Sequence, residues 1–192
     1  MRKILGFGCI FILLVIALWQ LSQAGLLAAK AWAAPVLIKY AWEQKLETGI
    51  DSLPWPWADS GPTAKISIPK LDVDRYILQG DNMRNLAFGP VLQQRGATTI
   101  LYGHRDTHFS FLRKMKVDDV VIFEGGALGV GDMGSEEWLV ERTRVVPVDE
   151  IYIPAGENEK SLMMITCYPF GAVSSVSDQR FVVWLKQAQS SV

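Results

Sequence analysis

The sequence predicts a mainly β domain, a barrel or sandwich with small helical excursions, behind one N-terminal apolar helix. Three observations predict it. Residues 4–19 contain no charged or strongly polar side chain. After Ala64 the chain breaks into short alternating or β-rich runs separated by turn residues. Few stretches in that part carry helical spacing, and many short strands with few helices define an all-β layer architecture.

The N-terminal run follows Arg2 and Lys3, and Leu21, Ala24, Leu26 and Leu27 extend it past Gln20, Ser22 and Gln23. Together these approach the roughly 20 residues that a helix needs to cross a bilayer. Residues 1–27 are therefore expected to form a transmembrane signal anchor, with positive charge holding the N-terminus in the cytoplasm. A cleaved secretory signal competes, since Ala31-Trp32-Ala33 has a small-x-small pattern, although it lies well past the apolar core. Residues 28–63 read as a helical and Pro/Trp-rich linker. Pro35 is a place for a kink, and Gly49 ends the helical pattern. Trp32, Tyr40 and Trp42 suit either a membrane interface or packing on the domain. Trp55 and Trp57, alternating with Pro54 and Pro56, predict a strap laid on the domain surface.

Residues 64–192 form the expected β domain. Lys65-Ile66-Ser67-Ile68 alternates polar and apolar side chains as a half-buried strand does, and Pro69 ends it. A second strand is expected over 73–78, a short helix or turn over 83–87, and a strand over 98–102 ending at Gly103-His104. Phe109, Leu112 and Met115 give 108–115 helical spacing. Asp118-Asp119 turns the chain into a strand over 120–123, and glycines at 125, 126, 129, 131 and 134 mark a flexible loop. Without a Lys-Ser/Thr after it, that loop is no phosphate cradle. Strands over 138–148, 161–167 and 180–185 complete the series.

Charge excludes one class of partner. With 19 basic and 20 acidic residues and a net charge of −1, no global field draws in nucleic acid. The two cysteines are Cys9, inside the apolar run, and Cys167. A disulfide between them is implausible, which leaves Cys167 as a lone thiol in the exported part and a candidate nucleophile.

The two histidines, His104 and His108, stand four apart. On a helix they would share a face, but the glutamate of a zinc-peptidase helix is missing between them. No metal and no cofactor is expected. The alternative pairs a histidine with Cys167, because a thiol needs a base or an ion-pair partner to react at neutral pH. His104 follows a strand end, as Cys167 does, whereas His108 falls inside the expected short helix. Acyl transfer also needs positive charge where an oxyanion develops. A loop of about a dozen residues joins the last two strands, a length compatible with a hairpin. In an antiparallel pair that arrangement sets Arg180 beside Cys167. The competing role for Arg180 is an edge-strand charge that deters aggregation.

Thr166-Cys167, preceded by Leu162-Met163-Met164-Ile165, resembles the Thr-x-Thr-Cys signature of the sortase family, with Met164 replacing the first threonine. Gly103-His104 and Arg180-Phe181-Val182-Val183 are similar to the other two sortase signatures, in the same order. Ile66-Ser67-Ile68-Pro69 and Phe111-Leu112 followed by Asp118-Asp119 add to the likeness. Pro54-Trp55-Pro56-Trp57-Ala58-Asp59, Leu86-Ala87-Phe88-Gly89-Pro90, residues 103–109 and residues 166–170 resemble the sortase branch of Gram-negative bacteria (marine proteobacterial sortases). The resemblance spans about residues 54–185.

The resemblance implies an eight-stranded sortase β-barrel preceded by a transmembrane helix. It implies catalytic His104, Cys167 and Arg180, with Thr166 as a substrate-binding residue. The implied activity is that of a cysteine transpeptidase. It cleaves a Leu-Pro-x-Thr-Gly-like C-terminal sorting signal through a thioester and passes the protein to an amine acceptor. The implied place is the inner (cytoplasmic) membrane, single-pass, with the catalytic domain on the periplasmic side. Two other readings of the residues remain open here. One is a hydrolytic cysteine peptidase or a peptidoglycan L,D-transpeptidase, whose Ser-x-Gly-Cys pattern is not matched. The other is a non-catalytic envelope β-domain.

Overall fold

The computed structural model describes residues 2–80, 83–125, 134–154, 160–172 and 177–188. Most of the glycine-rich loop, residues 126–133, lies outside them.

Helix α1 (Arg2–Thr48) runs through Pro35 without a break. It stops where the Gly49 amide donates to the Lys45 carbonyl at 2.9 Å, with Gly49 in the left-handed region (φ +70) that glycine enters without a steric cost. Ala34, Ile38, Ala41 and Trp42 recur at helical spacing and are fully buried. Trp42 thus packs on the domain, while Trp32 and Tyr40 stay exposed.

One expectation is corrected here. Among the described residues, no helix is long and apolar enough to cross a membrane. The described apolar run from Ile12 ends at Trp19, and Gln20, Ser22 and Gln23 break up the next helical turn. Beyond that, Ala34, Ile38, Ala41 and Trp42 are buried, while Leu21, Leu26, Trp32 and Val36 are exposed. The transmembrane anchor over 1–27, the membrane as a partner and the single-pass inner-membrane location are withdrawn on that finding.

Eight strands follow: β1 (Pro62–Ile68), β2 (Val73–Gln79), β3 (Val91–Arg95), β4 (Thr98–Tyr102), β5 (Val120–Gly125), β6 (Ser135–Pro147), β7 (Ser161–Tyr168) and β8 (Gln179–Gln187). They close into one barrel in the order β1-β2-β3-β4-β7-β8-β6-β5. Short 3-10 turns occupy Pro69–Leu71, Met83–Ala87, Ser110–Lys114 and Val148–Glu150. The expected helix over 108–115 is thus one tight turn.

Strand alternation separates two environments. Inward-facing Ile66, Ile68, Leu101, Phe123, Trp138, Met164 and Val183 belong to the barrel core, which Phe109 and Leu112 close at one end. Each large side chain buried there contributes about 1.5–3 kcal/mol.

The outer face is covered twice. Over β2 and β3, α1 and Trp55 cover Leu78 and Val91. Over β4, β7 and β8, Ile151 and Ile153 cover Ile100, Met163, Ile165, Val182 and Trp184. Hydrogen bonds hold the second cover down. The Trp184 indole donates to the Tyr152 carbonyl at 3.1 Å, and the Thr98 hydroxyl to the Pro154 carbonyl at 2.6 Å. The space beside that cover is where the chemistry-bearing residues meet.

Candidate active site

Strands β7 and β8 are antiparallel, and Cys167 stands directly opposite Arg180. Opposed residues share a face, with Cβ atoms about 4.5–5.5 Å apart. That face is the outer one, because Ile165 and Val182, two residues inward on each strand, belong to the outer cluster. Cys167 is half-buried and its thiol is free. The Arg180 Nη1 donates to the carbonyls of Ser177 (2.6 Å) and Gln179 (2.9 Å), which anchors the guanidinium at the strand start.

His104 arrives from another direction. β4 runs parallel to β7, with Tyr102 beside Ile165. The Gly103 amide extends that pairing to the Ile165 carbonyl at 3.3 Å, and the Thr166 hydroxyl donates to the Gly103 carbonyl at 2.7 Å. Gly103-His104 is therefore clamped against Thr166-Cys167. A side chain at 103 would approach the Phe109 ring to 2.6 Å, so only glycine fits this crossing. Thr166 itself is buried, with its hydroxyl engaged by Gly103.

His104, Thr166, Cys167 and Arg180 line one cavity of about 520 Å³. Its walls are otherwise mainly apolar, from Leu86, Tyr102, Val148, Ile151, Ile153 and Ile165, with Arg95 at one border. A thiol, an imidazole and a guanidinium on the rim of an apolar groove suit acyl transfer on an extended peptide. Such chemistry calls for a nucleophile, a proton carrier and an oxyanion partner, and these three groups are of those kinds.

His108 lies on a separate cavity with Arg75 and Tyr76. Its ring stacks on that of His104 with centroids 6.4 Å apart. Burial, then the neighbouring charges of His104 and Arg75, lower its pKa to about 4. Because the folded value lies below the ordinary 6.5, the unfolded chain takes up this proton first. The stability that neutral His108 supports is present above pH 6.5 and is lost as pH falls towards 4. His108→Gln is expected to flatten the acid limb of a melting-temperature profile between pH 7 and 4.5. An unchanged limb refutes that role.

Sequence reasoning missed Arg105 and Asp106. Arg105 is buried; its Nε donates to Asp106 Oδ2 at 2.7 Å and its Nη2 to the Ala172 carbonyl at 2.6 Å. Asp106 Oδ1 accepts the Gly171 amide at 2.9 Å. That amide, then Arg105, holds the Asp106 carboxyl below the usual carboxylate range. The pair ties the segment carrying His104 to the loop that leaves β7 after Cys167. The only sequence signal was an Arg-Asp pair immediately after a candidate catalytic histidine.

Among the described residues, no three His, Cys, Asp or Glu side chains converge as a metal site.

Fold and site together define a thiol-dependent acyl-transfer enzyme on a closed β-barrel. Residues 66–188 match the sortase domain model, so the chain belongs to the sortase family and is a cysteine transpeptidase of that family. No curated protein sequence matches it. Among solved structures it is similar to a lid mutant of sortase A from Corynebacterium diphtheriae. That pair shares 18% identity with a TM-score of 0.57, covering 86% of this chain and 95% of the other. It is also similar to sortase C-1 from Actinomyces oris, at 24% identity and a TM-score of 0.52, covering 67% and 75%. A third is sortase C from Clostridium perfringens with the C-terminal cell wall sorting motif, at 17% identity and a TM-score of 0.56, covering 84% and 90%.

These relatives are sortases of Gram-positive bacteria, so the assignment to the Gram-negative branch is corrected to the family as a whole. Two of the residues that suggested the branch, Trp55 and Phe88, pack together. Trp55 sets its ring edge-on to Phe88 at 5.1 Å, under α1.

Proposed function

We propose that Cys167, His104 and Arg180 carry out transpeptidation on a Leu-Pro-x-Thr-Gly-like sorting signal, held in the groove between β4, β7 and the segment 148–153. The observation that carries this reading is the opposition of Cys167 and Arg180 on one face, with His104 on the same cavity. The Cys167 thiolate attacks the threonine carbonyl carbon, and Arg180 stabilises the charge that forms on the carbonyl oxygen. As the C–N bond breaks, the His104 imidazolium gives its proton to the leaving glycine amine, leaving a thioester on Cys167. An acceptor amine then attacks the thioester, passes its proton to His104 and releases the thiolate.

Apolar Tyr102, Ile151, Ile153 and Ile165 suit the Leu-Pro part of such a signal. Thr166 contributes groove wall beside the thiol and holds Gly103 in place. The catalytic unit is residues 64–192.

Intact-mass spectrometry tests the reading. The chain is mixed with a Leu-Pro-x-Thr-Gly peptide, with and without triglycine. An acyl adduct on Cys167 that converts to a triglycine-linked product is the expected result. Release of free acid alone, with triglycine in excess, overturns the transpeptidase reading, and absence of any adduct or cleavage overturns the sorting-signal reading.

A further inference from the structure

Among the described residues, His104, Arg180 and Arg95 line the groove as cations or potential cations, and no carboxylate does. The first two flank the thiol. Arg95 stands apart, at the far end of the β3–β4 hairpin, where it pairs with Thr98. Opposed residues share a face, so Arg95 lies on the same side of the sheet as Thr98, Ile100 and Tyr102. This is the outer face that carries the apolar floor of the groove. Register and cavity lining therefore agree independently on where Arg95 points. Burial pushes the Tyr102 phenol above its ordinary value while the Arg95 guanidinium pulls it down, which sets the two side chains within electrostatic reach. Among the described residues no carboxylate pairs with Arg95, and its side chain makes no hydrogen bond.

An unpaired guanidinium at the end of an apolar groove adds little to folding, but it offers a fork for a carboxylate that arrives with a ligand. We infer that Arg95 is a specificity-determining residue, selecting sorting signals that carry an acidic side chain at the second or third residue before the Leu-Pro pair. This rests on the sorting-signal reading above. The position follows from strand geometry. Thr98 lies four residues before Tyr102, Tyr102 stands beside Ile165, and Cys167 is two residues further. Six steps at about 3.3 Å each put Arg95 roughly 20 Å along the groove from the thiol. An extended peptide with its scissile threonine at Cys167 reaches that point about five to six residues upstream, at the second and third residues before its leucine.

The test measures kcat/KM on three peptides that share Leu-Pro-Gln-Thr-Gly and differ at the second and third residues before the leucine: Glu-Glu, Gln-Gln or Lys-Lys. The chain as it stands is expected to prefer Glu-Glu over Gln-Gln by about ten-fold, with Lys-Lys slowest, and to lose much of the difference at 0.5 M salt. Arg95→Ala should process all three at similar rates, and Arg95→Glu should reverse the order. Each variant is its own folding control, because the Gln-Gln rate reports the intact site. Equal rates on the three peptides, or a Glu-Glu preference that survives Arg95→Ala, overturn the proposal and leave the sorting-signal reading standing. Failure of all three peptides to react with the unaltered chain overturns both.

Discussion

Cys167→Ala is expected to abolish both acyl-enzyme formation and transfer, with turnover lowered by at least about 10⁴-fold. The alanine removes the only atom in the groove able to form a thioester, while His104 and Arg180 remain in place. The fold should survive. Cys167 is half-buried at a strand end, and Thr166, which clamps β7 to Gly103, is untouched. A melting temperature within a few degrees of the unaltered chain, beside zero adduct by intact mass, is the expected pair of results. Cys167→Ser sharpens the test, because a hydroxyl lacks the acidity that makes a thiol reactive at neutral pH. Residual turnover should be low, and the adduct scarce. Cleavage that continues in Cys167→Ala at more than a hundredth of the original rate would remove the thiol from the mechanism.

The fold was legible wherever a strand is half-buried and ends at a turn residue. Lys65-Ile66-Ser67-Ile68 alternates, and in the barrel Ile66 and Ile68 face the core while Lys65 pairs with Glu124 and Asp74 on the outside. Strand β3 was not legible. Val91 and Leu92 are both buried and Gln93, Gln94 and Arg95 are exposed, so no period of two exists to detect. Its pairing with β2 is parallel and covers two residue pairs, which leaves no hairpin signal on that side. Composition pointed to a membrane anchor over 1–27, yet among the described residues no helix is long and apolar enough to cross a membrane. The part of α1 that packs on the barrel, Ala34, Ile38, Ala41 and Trp42, lies beyond that run.

The site divides in the same way. The neighbourhood of Cys167 and Arg180 follows from hairpin arithmetic, since β7 and β8 are consecutive and antiparallel. His104 comes beside them through the parallel β4–β7 pairing, which joins segments some sixty residues apart without a turn between them. No spacing rule anticipates that. Arg105 and Asp106 escaped notice for another reason: their partners across the site are the backbone groups of Ala172 and Gly171, which no side-chain pattern advertises. Thr166 shows how a polar residue in a signature can work indirectly, its hydroxyl being taken up by Gly103.

Arg180 yields the second large effect. Arg180→Ala is expected to lower kcat by about 10²–10³-fold with a smaller change in KM, the size associated with removing one donor from an oxyanion site. The geometry adds a finer expectation for Arg180→Lys. The guanidinium bonds the Ser177 and Gln179 carbonyls through Nη1, which leaves other N–H groups of the same planar fork to face the groove. An ammonium has the charge but no second rigid arm. It must choose between the two carbonyls and the oxyanion, so Lys should recover only part of the loss and remain well below the unaltered chain. Rates in both variants, with the acyl-enzyme followed by rapid quench and intact mass, separate this from a folding defect. Slow acylation with a normal melting temperature is the expected signature. If Lys restores full activity, charge alone suffices and the fork has no role. If Ala acylates at the normal rate and is slow only in transfer, Arg180 acts on the second half of the reaction and the oxyanion assignment in the first half falls.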